Sequence, residues 1–262
     1  MNTIKIVMMT SVHFAFDGRI FYKEIKTLVK AGYDVVLIAP HDKEENIEGI
    51  RIIPLPKTTK RINRLVKTYF RLIWLALKER ATIYHFHDPE LIPLGLLLKL
   101  FNKIVIYDMH ELVYFQFEYA YWIKNNLVKS FIQQLYLIIE KFAIIFLDHI
   151  ILAEDDYRNY LINTYRNFDN YTTIRNFPLI SEIETAEPID GNLNRKFVLF
   201  YCGDLAEVRS ISKVITSMEY LNGKAELWLL GKWESRAFEQ KCKALPGWEY
   251  TRHLGAMKLF DI

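Results

Sequence analysis

The stretch DGRIFYKEIKTLVKAGYDVVLIAP, residues 17–40, decides the fold class of this chain. It passes from a polar turn into a helical pattern at 21–31 and then into a short apolar run at 34–39. Apolar positions three and four apart indicate a helix that buries one side, whereas a continuous apolar run of this length indicates a buried strand. A helix followed at once by a buried strand is the repeating unit of a parallel sheet covered by helices.

The same alternation extends over the first two thirds of the chain. Buried strands are predicted at residues 4–9, 34–39, 83–86, 103–107, 149–152 and 171–175, and helices at 21–31, 62–80, 91–100, 122–146 and 155–165. This pattern predicts a Rossmann-like α/β domain, in which binding sites form at the carboxyl ends of the strands. We place its end at Pro178, because proline disfavours helix in the residue before it. The first predicted domain therefore spans residues 1–178.

A second alternation follows a polar, acidic stretch at residues 181–195. Strands are predicted at 197–201, 225–230 and 249–253, helices at 210–220 and 236–245, and the start of a further helix at 257–262. Three strands and two helices leave a sheet with an open edge and a thinly covered face. We therefore predict a partial second Rossmann-like domain over residues 179–262.

Bulk composition excludes several classes of protein. The net charge of +3 is too small to indicate a nucleic-acid partner. Cys202 and Cys242 lack metal-binding spacing and are expected to be two buried thiols in a reducing compartment. The amino terminus is typical of a strand and not of a signal peptide, and charges interrupt the longest apolar region, at 135–153. These features predict a cytoplasmic protein without a membrane span.

Polar loops follow three strands of the first domain. In the first loop, either Asp17 caps the following helix, or Gly18 lets a ligand approach the backbone while Arg19 faces an anion. No Gly-x-Gly-x-x-Gly fingerprint for dinucleotides is present in this loop. His110 follows the fourth of the predicted strands and can donate a hydrogen bond to a phosphate or a sugar hydroxyl.

The loop after the strand at 83–86 has two interpretations. His85, His87 and Asp88 make a weak metal-binding pattern, because a metal site needs three or more convergent ligands. Alternatively, Asp88-Pro89-Glu90 starts a helix, with proline at the first helical position and acid near the positive end of the dipole. Since carboxyl ends of parallel strands meet at one edge, we expect these three loops to share one site.

Two loops of the second domain are candidates for binding an anion. Gly203 and Arg209 lie between a strand and a helix, which suits a diphosphate: glycine permits close backbone approach and arginine makes two hydrogen bonds. Gly231 ends the next strand and is expected to leave room for a sugar or a base. Glycine is common after strands in any case, so the pattern alone has limited specificity.

A basic helical pattern over residues 60–78 suggests a surface role. Five cationic residues recur along an apolar helix: Lys60, Arg64, Lys67, Arg71 and Lys78. A basic amphipathic helix can lie on an anionic membrane surface, and it can equally be a solvated face of a soluble domain. The sequence leaves both alternatives open.

Taken together, these segments resemble the retaining family 4 glycosyltransferases, which have the GT-B fold. The resemblance rests on seven stretches in the expected order: DGRIFYKEIKTLVKAGYDVVLIAP, HFHDPELIPLG, VIYDMHE, IRNFP, FYCGDL, ELWLLG and RHLG. It covers nearly the whole chain. It implies transfer of a sugar from a UDP- or GDP-linked donor to a glycan or lipid-linked acceptor in bacterial surface polysaccharide synthesis. It also implies a cytoplasmic location at the inner face of the plasma membrane. The implied reaction requires no metal or other cofactor.

The resemblance further implies roles for individual residues. His110 would contact the sugar or phosphate of the donor, and Gly203 and Arg209 would hold its diphosphate. Residues 176–178 would form the hinge between the domains. The acceptor side and the floor of the cleft would be lined by Asp17, Gly18, Arg19, His87 and Asp88.

The sequence departs from the family pattern in two ways. Ser210 follows Arg209, whereas the family usually has glycine there, and a Cβ would crowd the phosphates or shift the helix start. The family's Glu-x7-Glu element is expected beyond Ile262, and we regard the matching spacing of Glu226 and Glu234 as accidental. An alternative to a transferase is therefore a truncated, non-catalytic remnant that binds an acceptor or a partner.

Overall fold

An eight-stranded sheet organises the first part of the chain. The computed structural model describes residues 3–57, 67–117, 123–165, 169–178 and 197–256, and it divides into two compact units, Met1–Ile180 and Ser181–Ile262. The strands of the first unit are β1 Lys5–Met9, β2 Asp34–Pro40, β3 Glu45–Ile47, β4 Ile50–Leu55, β5 Ile83–Phe86, β6 Ile104–Met109, β7 His149–Leu152 and β8 Tyr171–Thr173. Their order in the sheet is β3-β4-β2-β1-β5-β6-β7-β8, and each neighbouring pair is parallel except β3 with β4.

Helices connect these strands and cover both faces of the sheet. A π-helix, Gly18–Ile25, continues into α1 Lys26–Lys30, and the later helices are α2 Tyr69–Glu79, α3 Ile92–Leu100, α4 Val113–Gln116, α5 Asn126–Phe146 and α6 Asp155–Thr164. One buried cluster joins α2, α3 and α5 to one face, through residues such as Leu72, Leu98 and Ala143. A second cluster joins the π-helix to the other face, through residues such as Ile20 and Ile25.

The predicted alternation is confirmed for the first unit, with two strands missed. Strands β3 and β4 form a hairpin whose turn, Glu48 and Gly49, has positive φ angles of 52° and 82°. The strand pattern here is obscured by Pro54 and by a polar, acidic stretch, and we predicted neither strand. They extend the sheet at its edge without altering the carboxyl ends of β1, β5 and β6.

Glu140 joins α5 to α6 through buried hydrogen bonds. Its carboxyl accepts from the hydroxyls of Tyr136, Tyr160 and Tyr165 at 2.9, 3.0 and 2.7 Å, and its residue is 1% exposed. Burial raises the pKa of Glu140, although the three phenols act in the opposite direction. A buried carboxyl with several donors is satisfied, so this contact stabilises the packing of the two helices.

The second unit contains a three-stranded parallel sheet among the described residues. Its elements are β9 Phe197–Cys202, a 3-10 turn Glu207–Arg209, α7 Ile211–Ser217, a 3-10 turn Met218–Leu221, β10 Ala225–Leu230, α8 Arg236–Lys243, a 3-10 turn Pro246–Tyr250 and β11 Thr251–His253. The strand order is β11-β10-β9. The prediction of two buried thiols is half wrong: Cys242 is buried in this unit, but Cys202 is exposed because β9 is an edge strand of this sheet.

Some predicted features fall outside the described residues. They are Lys60 and Arg64 of the basic helix, the polar stretch at 181–195 and the helix start at 257–262. Residue 122 of the predicted helix 122–146 also lies outside the described residues. This helix begins later than predicted, since residues 123–125 are not helical and α5 spans Asn126–Phe146. The strand predicted at 249–253 is shorter, since Glu249 and Tyr250 belong to a 3-10 turn.

Gly231 provides a test of the packing in the second unit. A Cβ on Gly231 would lie 1.8 Å from the carbonyl oxygen of Gly203, and its φ is 152°. We expect Gly231→Ala to lower the free energy of unfolding by on the order of 3 kcal/mol, because backbone would have to move. Gly255→Ala is the matched control, since Gly255 has a φ of 86° but no atom within 4 Å of a Cβ, and only about 1 to 2 kcal/mol is expected there. Equal losses for the two variants in urea unfolding would contradict this packing.

Candidate functional site

The polar loops that follow β1, β5 and β6 meet at one edge of the sheet. β1 pairs with β5 and β5 pairs with β6, all in parallel, so their carboxyl ends lie side by side. The expectation that three loops share one site is therefore confirmed. Most of the side chains at their centre are buried: Arg19, His85, His87, Asp88 and Asp108.

Asp17 caps the helix that follows β1. Its carboxylate accepts from the backbone N–H groups of Arg19 and Ile20 at 2.9 and 3.0 Å, and Gly18 is the first residue of the helix. The helix-cap interpretation is confirmed. His13 lies 3.4 Å from the same carboxylate. Although burial acts to raise it, the hydrogen bond with His13 and the capped N–H groups lower the pKa of Asp17 to about 2.

Arg19 faces an anion, but this anion is a side chain of the protein. Its Nε and Nη2 each donate to one oxygen of Asp108 at 3.0 Å, and its Nη1 donates to the carbonyl oxygen of Ile174 at 2.7 Å. Arg19 is 6% exposed and Asp108 is fully buried. A planar guanidinium is suited to such paired contacts, and each charge offsets part of the cost of burying the other.

Asp108 also contacts two of the histidines of the site, His87 and His110. Its Oδ2 lies 3.1 Å from His110 Nε2 and 3.5 Å from His87 Nδ1, and those two ring nitrogens are 3.3 Å apart. Burial alone would raise the pKa of Asp108, but hydrogen bonds with His110 and His87 hold it well below its usual range. Burial lowers the pKa of His87, so its ring is neutral at pH 7. His110 has a partly exposed side chain, at 17%, and is the histidine of this group that a ligand can reach most easily.

Asp88 ties the loop after β1 to the loop after β5. Its Oδ2 accepts from the Thr10 hydroxyl at 2.8 Å and from the Ser11 backbone N–H at 2.6 Å, and the Ser11 hydroxyl donates to Glu90 at 2.6 Å. Pro89 begins a 3-10 turn that leads into α3, as the helix-start interpretation predicts. Asp88 is 3% exposed, so its role within this structure is to hold the two loops together.

Glu24 and His85 lie beside the Arg19–Asp108 pair. Burial, followed by the nearby charge of Asp108, raises the pKa of Glu24 to about 9, so the carboxyl is protonated at pH 7. Burial also lowers the pKa of His85 to about 3. Both residues border a cavity of about 520 Å³, whose remaining wall is largely apolar and includes Ile106 and Ile151.

Four of these residues have the composition of a metal site. Glu24, His85, His87 and Asp108 each offer a ligand atom, and these atoms lie within 4.8 Å of one another. Arg19 already supplies positive charge here, since its Nε is 2.9 Å from Glu24 Oε1 and its fork binds Asp108. A divalent cation would be repelled by this fixed charge and would have to displace it from the carboxylates. The geometry therefore favours a cluster centred on arginine over a metal centre.

In the second unit, Gly203 and Gly231 end two neighbouring parallel strands. The Cβ direction of Gly231 is filled by the carbonyl of Gly203, which gives a packing reason for glycine at this position. Room for a ligand at Gly231 stays a prediction. Arg209 is exposed at the end of a 3-10 turn. Ser210, where the family pattern has glycine, adopts a left-handed conformation with φ of 58°. This conformation explains the preference for glycine at this position, because a Cβ strains it.

The comparison with protein families assigns the first unit. A model of the family described as Glycosyltransferase Family 4 matches residues 18–177, which is more than half of the chain. The chain belongs to glycosyltransferase family 4. No curated protein sequence matches this family 4 chain.

Solved structures similar to this family 4 chain have the GT-B fold. Sucrose-phosphate synthase of Thermosynechococcus elongatus matches with a TM-score of 0.71 and 15% identity, over 98% of this chain and 72% of that chain. WaaG, a glycosyltransferase involved in lipopolysaccharide biosynthesis, matches with a TM-score of 0.67 and 14% identity, over 97% and 70%. HepE of Anabaena, in complex with UDP and glucose, matches with a TM-score of 0.62 and 11% identity, over 97% and 70%. At these identities the likeness shows the fold alone.

Sequence reasoning missed Glu24 and His13 as members of the site. Arg19 and Glu24 are five residues apart, which puts them about 140° apart around an α-helix. The π-helix changes this geometry, since Tyr22 N–H bonds back five residues to the Asp17 carbonyl, and it brings Arg19 and Glu24 together. The signal available in the sequence was the presence of Arg19 and Glu24, two opposite charges, on one short helix that follows the first strand.

The pKa of Glu24 predicts a pH-dependent stability. Its folded value of about 9 lies above its ordinary value of 4.5, so the folded protein keeps a proton that the unfolded chain releases. The stabilisation from this group is complete below about pH 4.5 and is lost as the pH rises toward 9. The side chain at position 24 cannot ionise in the variant Glu24→Gln. As the pH rises, the free energy of unfolding of this variant should therefore increase relative to that of the wild type, by up to about 1.4 kcal/mol per pH unit.

Urea unfolding at pH 5, 7 and 9 measures this difference. Glu48→Gln is the control, because Glu48 is an exposed carboxylate that pairs with Lys26 at the surface. A constant difference between Glu24→Gln and the wild type across this range would contradict a protonated Glu24.

Proposed function

We propose that this chain is part of a retaining glycosyltransferase that uses a UDP- or GDP-linked sugar donor. The acceptor is a glycan or a lipid-linked glycan, and the pathway is the synthesis of a bacterial surface polysaccharide. The observation that carries this proposal is the family match over residues 18–177 together with a polar site at the strand ends of the same segment. Membership of the family supports sugar transfer, and the donor, acceptor and stereochemistry belong to the proposal.

His110 is the catalytic residue of the proposed reaction. It lies at the carboxyl end of β6, its ring is held by Asp108, and its side chain is partly exposed. Sites in sheets of this type form at the carboxyl ends of the strands, which supports this location for the donor sugar. A histidine in this position can stabilise developing charge by hydrogen bonding, in which case the catalysis is mainly electrostatic and positional.

The donor is a nucleotide sugar in this proposal. HepE, which shares the fold, was determined with UDP and glucose, and WaaG acts in lipopolysaccharide biosynthesis. Both support a nucleotide-sugar donor and a bacterial glycan. Gly203 and Arg209 are the proposed diphosphate contacts. Arg209 is exposed at the end of the 3-10 turn that follows β9, and Gly203 would let the diphosphate come close to the backbone. Asp17 and Gly18 are the proposed acceptor side.

No metal or other cofactor takes part in the proposed mechanism. The charge on the leaving diphosphate is balanced by arginine and by backbone N–H groups. The cluster of Glu24, His85, His87 and Asp108 supports this view, because Arg19 supplies its positive charge.

The proposed transfer can be tested by a donor screen with two histidine variants. UDP- and GDP-sugars are incubated with the protein, and release of the nucleoside diphosphate is measured by a coupled assay. His110→Ala should lower kcat by about 10² to 10³-fold, the usual loss for one stabilising hydrogen bond, while thermal unfolding stays close to that of the wild type. His149→Ala is the matched control, since His149 lies at the amino end of the neighbouring strand β7. A wild-type rate for His110→Ala would exclude it from the site, and no turnover of any donor would favour the non-catalytic alternative.

The same protein is proposed to act at the inner face of the plasma membrane, bound peripherally to anionic lipid. Within the described residues, no helix has the length and apolar character needed to cross a bilayer. One face of the first unit nevertheless exposes many large apolar side chains. On α2, α3 and α5, which share one core cluster, they are Phe70, Trp74, Leu77, Leu100, Leu127, Val128, Phe131, Leu135, Ile138, Phe142, Ile145 and Phe146. We call this the α2–α3–α5 surface.

The charges of the α2–α3–α5 surface match an anionic membrane. The two acidic residues on these helices, Glu79 and Glu140, are buried and paired. The exposed cations include Arg71, Lys78 and Lys141. An apolar face flanked by cations is the pattern of helices that lie in the interface of anionic bilayers, whereas a solvated face would not expose so many large apolar side chains.

Vesicle binding tests the membrane proposal. The double variant Phe131→Ser/Phe142→Ser should lower partitioning onto vesicles that contain about 30% phosphatidylglycerol by at least about tenfold. The reason is that two aromatic side chains no longer enter the membrane interface. Tyr220→Ser, at a residue 78% exposed in the second unit, is the matched control and should bind like the wild type. Equal partitioning of the double variant, or equal binding of the wild type to purely zwitterionic vesicles, would overturn the proposal.

A further inference from the structure

We propose that the Arg19–Asp108 pair is a positioning element that orients His110 and at the same time fastens residues 174–177. The role of His110 in transfer rests on the function proposed above. The positioning itself is a property of the folded protein, and it can be measured without any substrate.

The guanidinium of Arg19 joins three segments that are far apart in the chain. Two of its nitrogens bind Asp108, which is 89 residues away, and the third binds the carbonyl of Ile174, 155 residues away. Three donors in one rigid plane define the relative position of β6 and the end of β8. A lysine would keep the positive charge, but one ammonium cannot reproduce this planar pattern of contacts.

Asp108 transmits this constraint to His110. Its Oδ2 lies 3.1 Å from His110 Nε2, which is also 3.3 Å from His87 Nδ1. A carboxylate only accepts hydrogen bonds, so a proton on Nε2 turns the shorter of these contacts into a charge-assisted hydrogen bond, and the proposal assigns this tautomer to His110. In neutral His110 this leaves Nδ1 without a proton, as the nitrogen able to accept a hydrogen bond from a substrate. Asp108 therefore sets both the direction of the ring and its tautomer, in the way that a buried carboxylate orients the histidine of a catalytic triad.

Lys23, one turn beyond Arg19, holds the same C-terminal segment. Its Nζ donates to Asn176 Oδ1 at 2.8 Å and to the carbonyl of Phe177 at 2.7 Å. Residues 174–177 are thus held by two cations of one helix, and the chain continues from them to the second unit. A movement of this segment would displace the guanidinium of Arg19 through its hydrogen bond to Ile174. The same guanidinium binds Asp108, the carboxylate that orients His110.

The first experiment is nitrogen-15 NMR of the histidine side chains of the full chain, with His110 assigned through His110→Gln. Wild-type protein should show His110 mainly as the Nε2–H tautomer at neutral pH. A predominant Nδ1–H tautomer would overturn the proposal, and this measurement needs no variant at the ion pair.

The second experiment compares Arg19→Lys with two lysine variants. Arg19→Lys should change the His110 tautomer ratio, speed hydrogen exchange at the amides of 174–177 by at least about tenfold, and lower kcat more than it changes the donor KM. Lys23→Met, at a partly buried site, should speed exchange at 176–177 with the His110 tautomer unchanged. Lys26→Met is the matched control on the same helical segment. Lys26 pairs with Glu48 and lies over the rings of Phe21 and Tyr22, so its loss should change neither readout.

These readouts separate the positioning role from the proposed function. If wild-type protein transfers no sugar but Arg19→Lys still alters His110 and the exchange at 174–177, the positioning stands and the proposed function fails. An unchanged His110 spectrum in folded Arg19→Lys overturns the positioning, whatever the transfer rate. If Arg19→Lys does not fold, the wild-type tautomer and the Lys23→Met exchange decide the two halves of the proposal.

Discussion

The buried ion pair between Arg19 and Asp108 is the interaction on which the arrangement of this site depends. Two charges taken out of water are stable only when each has a partner and their remaining hydrogen-bonding groups are satisfied. Asp108 meets this condition with Arg19 and two histidines, and Arg19 meets it with Asp108 and the Ile174 carbonyl. The positions of Glu24, His87 and His110 are therefore set relative to this pair.

The same pair determines the protonation of its neighbours. Glu24 keeps its proton because burial penalises its charged form and because a second carboxylate beside ionised Asp108 would be repelled. His85 and His87 remain neutral because burial penalises their charged forms. The cluster that has the ligand types of a metal site is thus a network with one guanidinium as its cation. Residue types alone would not distinguish these two cases, whereas the position of Arg19 does.

Two different surfaces of the first unit carry the two proposed functions, sugar transfer and membrane binding. The carboxyl ends of β1, β5 and β6 carry the polar site, and the α2–α3–α5 surface carries exposed apolar side chains among cations. A fold of this type is shared by proteins with different reactions, so the family match supports sugar transfer more strongly than the fold does. The polar site then supports the proposed binding of a sugar donor, and the α2–α3–α5 surface supports the proposed binding of a membrane.

The sequence by itself determined the alternation of strands and helices, the shared edge of the polar loops and the family. Apolar periodicity and the rule for parallel sheets depend on local spacing, and local spacing is visible in a sequence. Only the tertiary structure decided the partners. The loop pattern predicts that Arg19 faces an anion, and the structure shows that this anion is Asp108; the glycine at position 231 is packed against the carbonyl of Gly203. Glu24 was missed because a π-helix turns it toward Arg19, and helix type follows from packing and capping together. Contacts across 89 or 155 residues depend on which strands become neighbours in the sheet, and no local sequence pattern contains that information.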